Sequence, residues 1–150
     1  MIPAAFGVQT SSRSVPGMPT PEELAAVWST MPFAQKLGAE LLEAGAAGVR
    51  AQLAWDEGLC TVAGMLHGGA LMSLADSAAA VCAFLNLPEG STGTTTVESK
   101  TNFMRAVREG SVTASSTPLH TGRRFIVVET ELRDDAERLV AKVTQTQAVL

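Results

Sequence analysis

Asp76 is the residue least at home in its surroundings. It stands in GMLHGGALMSLADSAAAVCAFL, residues 64–85, where Leu66, Ala70, Leu71, Leu74, Ala78, Val81, Cys82 and Leu85 recur at helical spacing. They leave no wide polar face, and a helix of that kind is expected to be buried. A carboxylate buried there without a partner costs several kcal/mol or shifts toward its neutral form. Two roles would offset that cost. One is local, a cap for a later helix or a pairing with Ser77. The other is chemical, a general base or nucleophile in a dry cleft.

His67, Gly68 and Gly69 precede it at the expected start of the helix. Two glycines there permit a tight turn and close backbone approach. The first N–H groups of a helix have no partner within it and carry partial positive charge. That suits a developing oxyanion, although a plain loop-to-helix turn uses the same residues. His67 and Asp76 are nine residues apart, roughly 13 Å along a helix. One carbonyl cannot touch both ends of that span. If the two groups act together, they come from two copies of the chain, and a two-fold dimer would duplicate the site.

Other chemistries find less support. Ser73 is not in a GxSxG elbow. Cys82 sits in an apolar run with no base spaced to activate it and reads as core, while Cys60 lies near the motif with nothing marking it as a nucleophile. Only two histidines exist, His67 and His120, so no metal-ligand cluster is expected. The net charge of −4 argues against nucleic acid or an anionic membrane as a partner. No signal peptide is evident, two thiols make no disulfide framework, and His67, Ser73, Asp76, Ser77 and Asn86 interrupt the one long apolar run. A soluble, cytoplasmic protein is expected.

The elements that must position these groups can be read from periodicity. Residues 1–19, rich in Pro, Gly, Ser and Thr, read as a loose tail, and residues 20–150 as a single domain. Thr20, Pro21 and Glu23 form a capping box that starts a short helix running to about Met31, with Pro32 ending it. Residues 38–55 alternate as two strands around EAGAAG. After the long helix and the turn-rich NLPEGSTG, four strand-like runs follow at 94–104, 111–120, 124–133 and 139–149. Helix, two strands, long helix, four strands is an α+β order, in which one antiparallel sheet wraps a central helix.

The motif around His67 and Asp76, together with NFMRAVREG and HTGRR…LRDDAERL, resembles the hotdog-fold acyl-CoA thioesterases of the phenylacetate-degradation (PaaI-like) and 4-hydroxybenzoyl-CoA thioesterase group. The resemblance covers roughly residues 45–149. It implies a hotdog fold, hydrolysis of an acyl- or aryl-acyl-CoA, and no metal or cofactor beyond the coenzyme A of the substrate. It also implies a homo-oligomer, a dimer at least and a tetramer as a dimer of dimers. Asp76 matches the catalytic carboxylate. Gly69 matches the residue whose N–H polarises the thioester carbonyl, with His67 and Gly68 shaping that turn. Thr61 stands where the family often has Asn or Gln. Thr94 and Thr95 would line the cleft from the following strand. Arg105, Arg123 and Arg124 match positions that bind the phosphates of coenzyme A, though the family's Pro after the first of them is Ala106 here. A non-catalytic acyl-CoA binding module on the same scaffold is the alternative. Hydratase chemistry would need an Asp/His motif that this sequence lacks.

Overall fold

The structure, a computed structural model, describes residues 20–150. The expected tail, residues 1–19, lies outside them. Helix α1 (Pro21–Ser29) begins at the anticipated box: Thr20 Oγ1 accepts from Glu23 N–H at 3.2 Å, and Thr20 N–H donates to the Glu23 carboxylate at 2.7 Å. Trp28 then fixes α1 to the sheet by donating its indole N–H to Ala39 O at 2.6 Å.

The reading of Pro32 needs correction. It does end the approach from α1, but it also opens a second helix, α2 (Pro32–Leu37), as its first residue. Proline's fixed φ and missing N–H suit both roles. Gly38 closes α2 in the left-handed region, φ +79°, which glycine enters at no steric cost.

The strands are β1 (Ala39–Gly45), β2 (Gly48–Ala54), β3 (Thr94–Phe103), β4 (Ser111–Thr121), β5 (Phe125–Asp134) and β6 (Leu139–Val149). They form one antiparallel sheet in the order β1-β2-β4-β5-β6-β3. Along β2, β4 and β5 every second side chain is buried: Val49, Ala51, Leu53; Val112, Ala114, Ser116; Ile126, Val128, Thr130, Leu132. That period of two turns one face toward helix α3 (Gly68–Phe84). The helix meets that face with Ala75, Ala78, Ala79 and Cys82, all fully buried. Such small side chains let the helix axis lie close to the sheet. Cys82 is core as expected, and burial pushes its thiol up to about 11.

The expectation of a helix buried all round fails in this chain. Met72 and Phe84 are 40% and 56% exposed, and Asp76 is exposed between them. These positions fall at four-residue intervals with Ala80, so they form a stripe down the side of α3 that borders the β3 edge of the sheet. Strand β3 lies alongside as an edge of the sheet, its outer hydrogen-bonding side unpaired among the described residues.

Candidate active site

The loop before α3 is drawn tight. Cys60 pairs with Leu66 as an isolated bridge, Thr61 N–H donates to Met65 O at 2.7 Å, and Ala63 and Gly64 take positive φ to make the turn. This delivers His67 to the N-cap of α3. Its Nδ1 accepts from Gly69 N–H at 2.8 Å. A nitrogen that accepts is unprotonated, so the neutral ring carries its proton on Nε2.

Both glycines are explained by contacts. A Cβ on Gly69 would lie 2.9 Å from His67 Nδ1, where the capping imidazole sits. A Cβ on Gly68 would lie 3.1 Å from Phe103 Cζ, so glycine lets that ring close over the helix start. Gly68 N–H has no protein partner among the described residues, whereas Gly69 N–H is already given to His67. A cleft of about 530 Å³ opens beside this corner, lined by Phe33, Lys36, Cys60, His67, Gly69 and Ser73 among others.

Among the described residues Asp76 neither bonds Ser77 nor caps a helix. Its Oδ1 accepts from Thr96 Oγ1 at 3.2 Å and from Gln145 Nε2 at 2.9 Å. Its Oδ2 takes no protein hydrogen bond among the described residues. The carboxylate therefore stands exposed on α3 while one oxygen is tied back to β3 and β6. Sequence reasoning missed Thr96, Gln145 and Gln147. The signal was present in β6, where Ala141, Val143, Gln145 and Gln147 share the buried face. A glutamine where the alternation calls for an apolar residue marks a polar contact beneath it.

The threonines divide. Thr94 shares the helix-side face of β3 with Thr96 and donates to Gln147 Oε1 at 3.1 Å or Ala148 O at 3.0 Å. Thr95 alternates to the opposite face and does not line the Asp76 side. Thr61 is exposed in the loop before α3.

The arginines also divide. Arg105 lies beyond Phe103, at the N-terminal end of α3, on a cleft of about 690 Å³ shared with Arg108 and Arg138. Arg123 and Arg124 lie in the β4–β5 turn, and Arg123 lines a cleft with residues 88–91 that follow the other end of α3. The helix between those ends is 17 residues long, about 25 Å. Within one chain the three expected phosphate ligands do not form one cluster. Among the described residues no group of His, Cys, Asp and Glu suited to a metal ion occurs, and no helix is long and apolar enough to cross a membrane.

Known proteins resemble this chain in sequence and fold. The thioesterase superfamily model matches residues 63–141, which include the whole of α3 and the last turn of the loop before it. A proposed esterase of Mycobacterium tuberculosis is 34% identical over 126 residues, 83% of this chain and 90% of its own. The 1,4-dihydroxy-2-naphthoyl-CoA hydrolase of Escherichia coli is 38% identical over 87 residues, 58% of this chain and 63% of its own. The crystal structure of a thioesterase of Haemophilus influenzae, 29% identical, matches with a TM-score of 0.79 over 87% of this chain and 90% of its own. With a six-stranded antiparallel sheet around one long helix, and with these relatives, the chain belongs to the thioesterase superfamily and has its hotdog fold.

Proposed function

We propose that this thioesterase hydrolyses an acyl- or aryl-acyl-CoA to the free acid and coenzyme A, with Asp76 as nucleophile or general base. The observation that carries the reading is the state of Asp76: exposed, tethered through Oδ1, with Oδ2 unengaged. As a base, it takes a proton from water as the water oxygen adds to the thioester carbonyl. The carbonyl oxygen becomes an oxyanion, the C–S bond then breaks, and the thiolate leaves with the electron pair. As a nucleophile, Oδ2 itself adds, the thiolate leaves, and water hydrolyses the resulting anhydride. A thiolate is a good leaving group, so neither route needs a strong general acid.

The oxyanion needs donors, and Gly69 N–H is the one proposed, beside the unpartnered Gly68 N–H. Gly69 serves when the thioester oxygen takes the place of His67 Nδ1 or shares the N–H with it. Gly69 and Asp76 are seven residues apart on one helix, about 10 Å, too far for one thioester. The site is therefore completed by a second copy. If Gly69 of each protomer meets Asp76 of its partner, the two α3 helices run antiparallel, and the two-fold axis crosses them at Met72 and Ser73, midway between. The exposed Met72–Asp76–Ala80–Phe84 stripe and the open β3 edge supply the surface for that pairing.

The acyl group has a place to lie. Beyond Asp76, Ala80, Val81 and Phe84 of α3, Val27 of α1, Met31 between α1 and α2, and Thr94 of β3 line a largely apolar cleft of about 400 Å³. That suits an aryl or medium-chain acyl group. Arg105 at one end of α3, and Arg123 with Arg124 at the other, are the proposed partners of the coenzyme A phosphates. Antiparallel pairing brings one protomer's Arg105 end toward its partner's Arg123 end.

Thiol release from a panel of aryl- and acyl-CoAs, for wild type and Asp76→Asn in parallel, tests the chemistry. Turnover that the variant loses supports it. Binding of coenzyme A esters without turnover would move the reading to a non-catalytic binding module. Met72→Arg tests the assembly by setting two cations against each other at the proposed axis. Sedimentation should show dissociation, with activity lost in step; a dimer unaffected by the change would refute this axis.

A further inference from the structure

We propose that Gln145 and Gln147 are positioning residues for Asp76, because their amide N–H groups occupy both acceptor sites of Thr96 Oγ1 and so direct its single proton to Asp76 Oδ1. The inference rests on the thioesterase reading above and adds to it which residues hold the carboxylate and which oxygen reacts.

The hydrogen-bond count is closed. A threonine hydroxyl has one proton and two lone pairs, and its O–H rotates freely unless the lone pairs are taken. Gln145 Nε2 donates to Thr96 Oγ1 at 3.2 Å and Gln147 Nε2 donates to it at 2.8 Å. The hydroxyl proton is left with one destination, Asp76 Oδ1 at 3.2 Å. Gln145 uses its second amide hydrogen on the same Oδ1 at 2.9 Å. Thr94 Oγ1 lies 3.1 Å from Gln147 Oε1 and 3.0 Å from Ala148 O, and when it donates to the former the amide presents N–H and not C=O to Thr96. Oδ1 thus receives two donors, and Oδ2, without a protein partner among the described residues, is left for the substrate.

Stability does not account for Gln145, whereas both polar atoms of Gln147 are within hydrogen-bond distance of a partner. Both glutamines are at most 1% exposed, and Gln145 Oε1 is buried with no partner among the described residues. An unpaired buried acceptor is a net cost to folding, and leucine would fill a similar volume without it. What leucine would lack is the donors. A bulge at Val97, between Thr96 and Glu98, re-aims β3 at the point where Thr96 meets both glutamines.

Gln145→Leu and Gln147→Leu test the proposal in thiol release from the best acyl-CoA substrate. Loss of orientation without loss of binding predicts a kcat about tenfold to a hundredfold lower, with KM near that of wild type. The unfolding midpoint of Gln145→Leu should hold or rise, since the orphan acceptor is gone. In an Asp76→Asn background the same substitution should cost nothing more, because the group it positions is already absent. A Gln145→Leu protein with a lower midpoint and unchanged kcat would overturn the proposal. So would a kcat deficit that persists undiminished beside Asp76→Asn. Should wild type hydrolyse no thioester at all, the activity reading fails by itself. The positioning claim is then decided by Asp76 in crystals of wild type and Gln145→Leu: an unmoved carboxylate would refute it.

Discussion

Two polar clusters are sealed under the hotdog sheet, and they differ in where they end. Ser116 of β4 and Thr130 of β5 share one hydrogen bond, Oγ to Oγ1 at 2.7 Å, with both residues at most 1% exposed. That pair closes on itself. Gln145 and Gln147 of β6 are buried as deeply, but their bonds lead outward through Thr96 to an exposed carboxylate. The first cluster satisfies its own polarity. The second leaves Gln145 Oε1 without a partner among the described residues and delivers its donors to Asp76. Burial alone does not distinguish a structural polar group from a functional one; the direction of its bonds does.

The sharpest way to break the comparison is at its outer end. Asp76→Asn should lower kcat/KM by about a thousandfold or more, ~4 kcal/mol of barrier, while the unfolding midpoint stays near that of wild type. An active Asp76→Asn enzyme would make the outward chain of bonds ornamental. At the closed pair the signs reverse. Thr130→Val seals Ser116 Oγ without a partner and should cost about 1–3 kcal/mol of stability, read from denaturant unfolding, with kcat retained. Adding Ser116→Ala should restore much of that loss, since removing both partners leaves no orphan. The smallest effect belongs to polar groups that neither cluster contains. The Arg133 hydrogen bond to Glu131 and the Arg138 hydrogen bond to Asp134 hold these carboxyls below their ordinary values of 4.5 and 3.8. A lowered carboxyl stabilises the fold fully above its ordinary value and loses that contribution as pH falls through the lowered one. The unfolding midpoint should therefore decline slightly on acidification below those ordinary values, less so in Arg138→Ala and less in high salt, because these pairs face solvent.

Much of this molecule was legible before its coordinates. Each of the four later strands begins and ends within a residue or two of the expected bounds, because β-branched residues alternate there and Gly110, Gly122 and RDDAER break the runs. The Thr20 capping box and the core position of Cys82 were equally readable. Three things were not. Pro32 signals a stop, and the same residue starts α2 when the chain turns there. Periodicity reports which side chains are apolar and not what covers them, so the Met72–Phe84 stripe read as buried although one chain leaves it open. The holders of Asp76 lie 20 and 69 residues further along, at Thr96 and Gln145, and only strand order brings them back. Asp76 itself was found because a carboxylate breaks an apolar pattern. Its partners were harder to see, since threonine and glutamine are unremarkable in a strand.

The place of β3 in the sheet bears on the order in which the enzyme matures. β4, β5 and β6 pair as consecutive hairpins, so their contacts are local. β3 precedes all three in the chain yet joins at the far edge, pairing Thr94 with Val149 across two intervening strands. Contacts that close long loops form late and are the first to open. Thr96 is therefore expected to reach the glutamines only after β4, β5 and β6 have paired. In refolding from denaturant, the far-UV signal of the sheet should return before catalysis does, and amide exchange in β3 should be faster than in β4 and β5.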